Sequence, residues 1–153
     1  MAYLGYGKIT INAKDYGAKG DGVTDDTAAI QSAINHCHSI GGGVVSLPAG
    51  TYKTTSQLTL TPWVNLTGAN QRGSVIMAAH TGKIVYMPGA LNMGTGGNQE
   101  IANLGFIWDG THIPSIGIHN LGTFYVNVNN CFFDNTNYGV VLDQSESCSV
   151  RDC

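Results

Sequence analysis

With 153 residues, 42% of them apolar, 11% charged and a formal charge of −3, the chain is one domain by size and long enough to bury a core. The weak negative charge leaves no electrostatic footprint for nucleic acid or an anionic membrane, so neither is an expected partner. No run approaches 18 consecutive apolar residues, and "MAYLGYGKITINAKDYG" lacks the basic-then-apolar order of a secretion signal.

In chain order, the first informative stretch is "DYGAKGDGVTDDTAAIQSAI", residues 15–34. Ile30, Ala33, Ile34 and Cys37 recur at helical spacing, which predicts a helix over about 25–39. Thr24 or Asp25 is placed to accept from its first-turn amides. Gly41-Gly42-Gly43 supplies a left-handed end. A calcium loop needs ligands at alternating positions and a closing glutamate, and a phosphate loop needs a GKS or GKT ending; both are missing. Asp21, Asp25 and Asp26 therefore read as turn and cap residues. His36 and His38 stand two apart, on opposite sides of a helix, and cannot share a metal ion.

Beyond the helix the pattern becomes short apolar runs separated by Gly, Asn and Thr. Strands are predicted at Val44 to Leu47, from Thr51 after a Pro48-Ala49-Gly50 turn, and at Gln57 to Leu60 and Val64 to Thr67. Further ones follow at Ser74 to Met77, Ile84 to Met87 and Ile101 to Trp108. The C-terminal part repeats itself. "GIHNLGTFYVNVNNC" (117–131) aligns with "GVVLDQSESCSVRDC" (139–153), setting Gly117 on Gly139, Ile118 on Val140, Val128 on Val150 and Cys131 on Cys153. An offset of 25 sets Phe106 to Asp109 against Cys131 to Asp134. Repeats of this length built from short strands imply a solenoid, because no coil can bury its inner face alone. The helix then covers the open N-terminal end of the apolar column. The four scattered cysteines, without a CxxC pair, read as small buried hydrophobes rather than a zinc site.

"DYGAKGDGVTDDTAAIQSAI…GGGVVSLPAGTY" resembles the N-terminal signature of the pectate-lyase-like (pectin lyase) superfamily, with phage tailspikes and capsule depolymerases the nearest in wording. The resemblance implies an all-β fold, a right-handed parallel β-helix with an N-terminal capping helix. Residues 1–13 form a lead-in and 14–153 the β-helix, read as the N-terminal part of a longer protein. It implies a polysaccharide partner (a host surface glycan or a pectin-like polymer), depolymerisation by a glycosidase or lyase, no cofactor unless a lyase uses calcium, a location on a virion or outside the cell, and a homotrimer in the tailspike case. A secreted polygalacturonase-like enzyme and a non-catalytic carbohydrate-binding module are the alternatives. The Asn-Thr-Asp, Gly-His-Gly and Arg-Ile-Lys triplets of polygalacturonases are absent, and Asp25-Asp26 is a double Asp in letters alone.

Site candidates come from the repeat. Asp109 and Asp134, aligned at the offset of 25, are the candidate carboxylate pair, since adjacent coils stack at about 4.8 Å, near the separation of a retaining glycosidase pair. Each also reads as a plain turn residue in "DG" and "DN". Trp108 and Phe133 are candidate sugar platforms if outward and core if inward. Lys83 and Arg151 are lone basic residues that could steer a uronate but read first as ordinary surface, and His112 and His119 read as loop histidines, able to act as acid or base but without a partner. No metal ligand set is expected.

Overall fold

The computed structural model describes residues 9–89 and 98–153. Its fifteen strands form three sheets in which every ladder is parallel. Sheet A holds β1 (Thr10–Asn12), β3 (Gly43–Leu47), β6 (Val64–Gly68), β9 (Glu100–Ala102), β12 (Asn127–Asn129) and β15 (Ser149–Arg151). Sheet B holds β2 (Asp21–Asp25), β4 (Gly50–Thr54), β7 (Ser74–Ala78), β10 (Gly105–Trp108) and β13 (Phe132–Phe133). Sheet C holds β5 (Leu58–Thr59), β8 (Lys83–Pro88), β11 (Ile116–Leu121) and β14 (Tyr138–Asp143). The chain visits A, B and C in turn, once per coil: a parallel β-helix.

Register explains why these short runs hold together. Ile11, Val45, Leu66, Ile101, Val128 and Val150 are mutually aligned along sheet A. Tyr52, Ile76, Phe106 and Phe133 align along sheet B, and Leu58, Val85, Ile118 and Val140 along sheet C. All but Phe133, Val140 and Val150 of these are buried, and each buried aliphatic contributes roughly 1.5–3 kcal/mol. The alternation of the strands sends the intervening residues outward.

In the first coil a helix stands where sheet C would begin. Helix α1 (Thr27–Ser39) packs Ile30, Ala33, Ile34 and Cys37 onto the column. Gln31 completes the substitution. Its Oε1 accepts from the Thr59 amide at 2.8 Å and its Nε2 donates to the Thr59 carbonyl at 3.0 Å. One side-chain amide thus supplies the partner that β5 lacks on its open edge, and the predicted lid is a hydrogen-bonded one.

Several local expectations are corrected. The helix starts at Thr27, not 25, because Asp21–Asp25 pairs as β2 with β4. Asp25 meets the first turn, accepting from the Thr27 amide at 3.0 Å. Asp26 is the N-cap by position, yet its buried carboxylate turns away to accept from the amides of Lys19 at 2.7 Å and Gly20 at 3.0 Å. Asp21 accepts from the amides of Thr24 and Val23 and the Thr24 hydroxyl, which hold its carboxyl down at about 2. The run Ile101 to Trp108 is two strands, broken at the corner residue Asn103 (φ 58°). Asn130 repeats that corner at φ 50° and donates to Asn103 at 2.6 Å, a ladder of side-chain amides between coils. His36 and His38 point apart as expected, His36 against the Tyr16 ring and His38 with Nδ1 3.0 Å from the Pro62 carbonyl. Cys37 and Cys131 are buried, Cys148 is half-buried and Cys153 exposed, all four free thiols.

After the C-cap at Ile40 the chain turns left-handed at Gly41 and Gly42, both at φ 99°. Gly42 has no room either: a Cβ there would lie 2.5 Å from the Trp63 carbonyl oxygen. Gly42→Ala is expected to destabilise the protein by about 1–3 kcal/mol, read as a lower urea midpoint; an unchanged midpoint would refute the backbone contact. Gly41→Ala, where a Cβ meets nothing within 4 Å, should cost about 1 kcal/mol from φ alone.

Candidate functional site

The outward face of sheet C carries a group of chemistry-bearing side chains. Thr59, Tyr86, His119 and Val141 are aligned across four strands. They alternate with the inward Leu58, Val85, Ile118 and Val140 and so face out. Tyr86 and His119 rings lie 5.5 Å apart, and Lys83 Nζ sits 4.2 Å from the Tyr86 ring centroid. Burial lowers the pKa of His119, the Lys83 charge lowers it further, and Asp143 opposes both. Its Nδ1 is buried without a hydrogen-bond partner. A neutral imidazole, a phenol and an ammonium therefore share one face. That set can neutralise an anionic ligand and carry protons to and from it.

A second group lies on the loops entering sheet C. Asp109 accepts from the amides of Thr111 and His112, each at 2.8 Å, and its Oδ2 lies 2.8 Å from His112 Nδ1. The His112 amide and ring and the Thr111 amide hold the Asp109 carboxyl far below the usual range. His80 stands beside this pair with a buried, unpartnered Nε2; burial and then the His112 charge lower its pKa, while Asp109 opposes them. The Ser115 amide donates to the carbonyls of Thr81 and Gly82 at 3.0 and 3.2 Å, tying the two loops to each other. Among the described residues no three His, Cys, Asp or Glu side chains converge to hold a metal ion.

Sheet B aligns Gly105 with Phe132 and Phe106 with Phe133, an offset of 27 rather than 25. Asp109 and Asp134 are thus two residues out of step instead of stacked. Asp109 is engaged in its own turn, and exposed Asp134 accepts from Asn135 at 3.1 Å. Phe133 faces the column, stacked on Phe106 at 5.1 Å. Trp108 aligns with buried Ala78 and is half-buried. By contrast the offset of 22 is the true register of Ile118 with Val140 and of Val128 with Val150. His119 lies within β11, not in a loop, and His112 has a partner in Asp109. Lys83 belongs to the sheet C group and is not a bland surface lysine; Arg151 is exposed on β15. Tyr86 and His80 were missed. Outward placement of Tyr86 beside His119 needs the register across a coil 33 residues long.

A family profile described as rhamnogalacturonase A/epimerase, pectate lyase-like, matches residues 10–111, more than half of the chain. The chain belongs to this family. Among curated relatives, mannuronan C5-epimerase AlgE1 of Azotobacter vinelandii is 49% identical over 72 residues, covering 42% of this chain and 5% of the relative. The chain therefore spans a small fraction of the length of the curated relatives it matches. Among solved structures, ORF18 of Geobacillus virus E2 superposes with a TM-score of 0.67 at 31% identity, over 78% of this chain and 25% of that one. The tailspike protein of Acinetobacter phage vB_ApiP_P1 shares the fold, with a TM-score of 0.68 at 16% identity over 93% of this chain and 26% of that one. The pectate-lyase-like family assignment agrees with the three parallel sheets and with the helix over the first coil. No helix of the described residues is long and apolar enough to cross a membrane.

Proposed function

We propose that this pectate-lyase-like chain contributes coils to a polysaccharide-acting protein of the tailspike kind, and that an acidic glycan lies across the outer face of sheet C. The observation that carries the reading is the group Lys83, Tyr86 and His119 on one outward face. A uronate carboxylate set against the Lys83 ammonium loses part of its charge, which acidifies the proton on the adjacent ring carbon. Neutral His119 is the base that removes it, and the Tyr86 hydroxyl is the second proton carrier. Elimination and epimerisation both begin with that step. The similarity to a mannuronan C5-epimerase supports a uronate polymer. The similarity to a viral ORF supports placement on a virion, and a homotrimer is the assembly we propose for it there.

Incubation of the full protein with mannuronan in deuterated water tests the chemistry. Expected are unsaturated chain ends, or deuterium at the carbon bearing the carboxylate, seen by NMR. New reducing ends with neither signal would point instead to hydrolysis, for which Asp109 and Asp134 are the carboxylates to replace. No reaction and no binding, with mannuronan or with pectin, would sink the polysaccharide reading. Sedimentation velocity tests the trimer.

A further inference from the structure

The corner leading from sheet C into sheet A repeats one backbone anomaly four times. Trp63, Asn98, Tyr125 and Ser147 have φ of 68°, 58°, 57° and 54°. Each precedes by three residues a member of the aligned set Leu66, Ile101, Val128 and Val150. The four therefore form a column along the β-helix axis. Asparagine tolerates this left-handed conformation well, and Asn98 is the inexpensive solution; a bulky aromatic there is strained. Two of the four positions are nonetheless aromatic. Their side chains are not hidden, for Trp63 is 48% exposed and Tyr125 58%. Core packing does not explain them.

The turns beneath these rings are anchored from inside. Buried Gln99 donates from Nε2 to the Thr61 carbonyl at 2.8 Å and the Leu60 carbonyl at 3.4 Å, just ahead of Trp63. Buried Asn120 donates to the Thr123 carbonyl at 3.3 Å and to Ser145 Oγ at 2.8 Å, and the Thr123 hydroxyl donates back to Asn120 Oδ1. The Tyr125 amide is itself held by the Glu146 carbonyl at 3.1 Å. Two buried amides thus fix two strained turns, each presenting an exposed ring, which is how a binding residue is preorganised.

We propose that Trp63 and Tyr125 are a stacking strip for the pyranose rings of a glycan running along the β-helix axis. Two coil steps separate them by about 10 Å, a span suited to alternate sugars of an extended 1,4-linked chain. Asn98 lies between them with an amide for sugar hydroxyls. Isolated rings divided by polar residues suit the mixed CH and OH faces of a sugar better than a protein partner, which favours a contiguous apolar core. The strip rests on the polysaccharide reading and adds to it a subsite off the Lys83, Tyr86 and His119 face.

The test replaces both rings by the residue the backbone prefers, Trp63→Asn with Tyr125→Asn. Fold and thermal midpoint should be kept or improved, since strain is relieved. Affinity for mannuronan oligosaccharides, by titration calorimetry, should fall about 3- to 10-fold per ring. Tryptophan emission should shift on adding the oligosaccharide to the unmodified protein, and less in Trp63→Asn. Equal affinity in the unmodified and doubly substituted proteins would overturn the strip alone. So would a loss of self-association without a loss of affinity, which would make it a contact between copies. Failure of the unmodified protein to bind any glycan would overturn the polysaccharide reading together with the strip.

Discussion

Replacing His119 by alanine is expected to lower turnover on a uronate polymer by about 10²–10⁴-fold, the range for losing a general base, with a much smaller loss of binding. The pH profile separates chemistry from structure. Burial and the Lys83 charge hold the His119 pKa below its ordinary 6.5, so the imidazole is the neutral base at pH 6.5 and above. Activity should climb as pH rises through the depressed value and reach its plateau before an ordinary histidine would have titrated. Lys83→Ala removes one cause of the depression and so moves the acid limb of kcat to higher pH. A merely structural lysine would reduce the folded fraction and leave the limb in place. An unmoved limb, or full activity in His119→Ala, would remove His119 from the mechanism.

The same direction of shift bears on stability. His80 and His119 both bind protons less readily folded than unfolded, so their contribution is intact above pH 6.5 and declines as pH falls below it.

Asp26→Ala should cost about 2–4 kcal/mol in a urea titration, with an unchanged slope. Its carboxylate is buried and satisfies the Lys19 and Gly20 amides, while its own amide donates to the Lys53 carbonyl at 2.8 Å. Gly20 in turn accepts from the Thr51 amide at 2.9 Å, so the loop that Asp26 holds is the one that seats the first coil on the second. Alanine would leave two amides without a partner beneath the capping helix. Against a total of about 5–15 kcal/mol for a domain, that loss is severe. Asp26→Asn keeps one accepting oxygen and should recover part of it. A cost below about 1 kcal/mol for alanine would mean that water replaces the carboxylate and that the lid is not held from this point.

Much of the architecture was legible because it is local. Ile30, Ala33, Ile34 and Cys37 mark the buried face of the helix at 3.6-residue spacing, and Gly41 marks its end. The short apolar runs between Gly and Asn are the strands, and the 22-residue repeat is the true register of the last coils. The aspartates before the helix proved structural, as their turn-forming chemistry requires.

The candidate site was not legible in the same way. The chain by itself determines which residues alternate inward and outward within each strand, and it determines the cap, the corners and the family signature. Only the tertiary structure decides which residue of one coil lies on which residue of the next. Coil length varies, with 21 residues between aligned Val45 and Leu66, 35 between Leu66 and Ile101, and 27 between Ile101 and Val128. Corner loops absorb that difference at little energetic cost, whereas the ladders and apolar columns tolerate no slip, since one residue would turn every side chain to the wrong face. Tyr86 therefore meets His119, Trp63 shares a column with Tyr125, and Asp109 misses Asp134, because hydrogen bonding and burial set the register across loops whose lengths carry no such information.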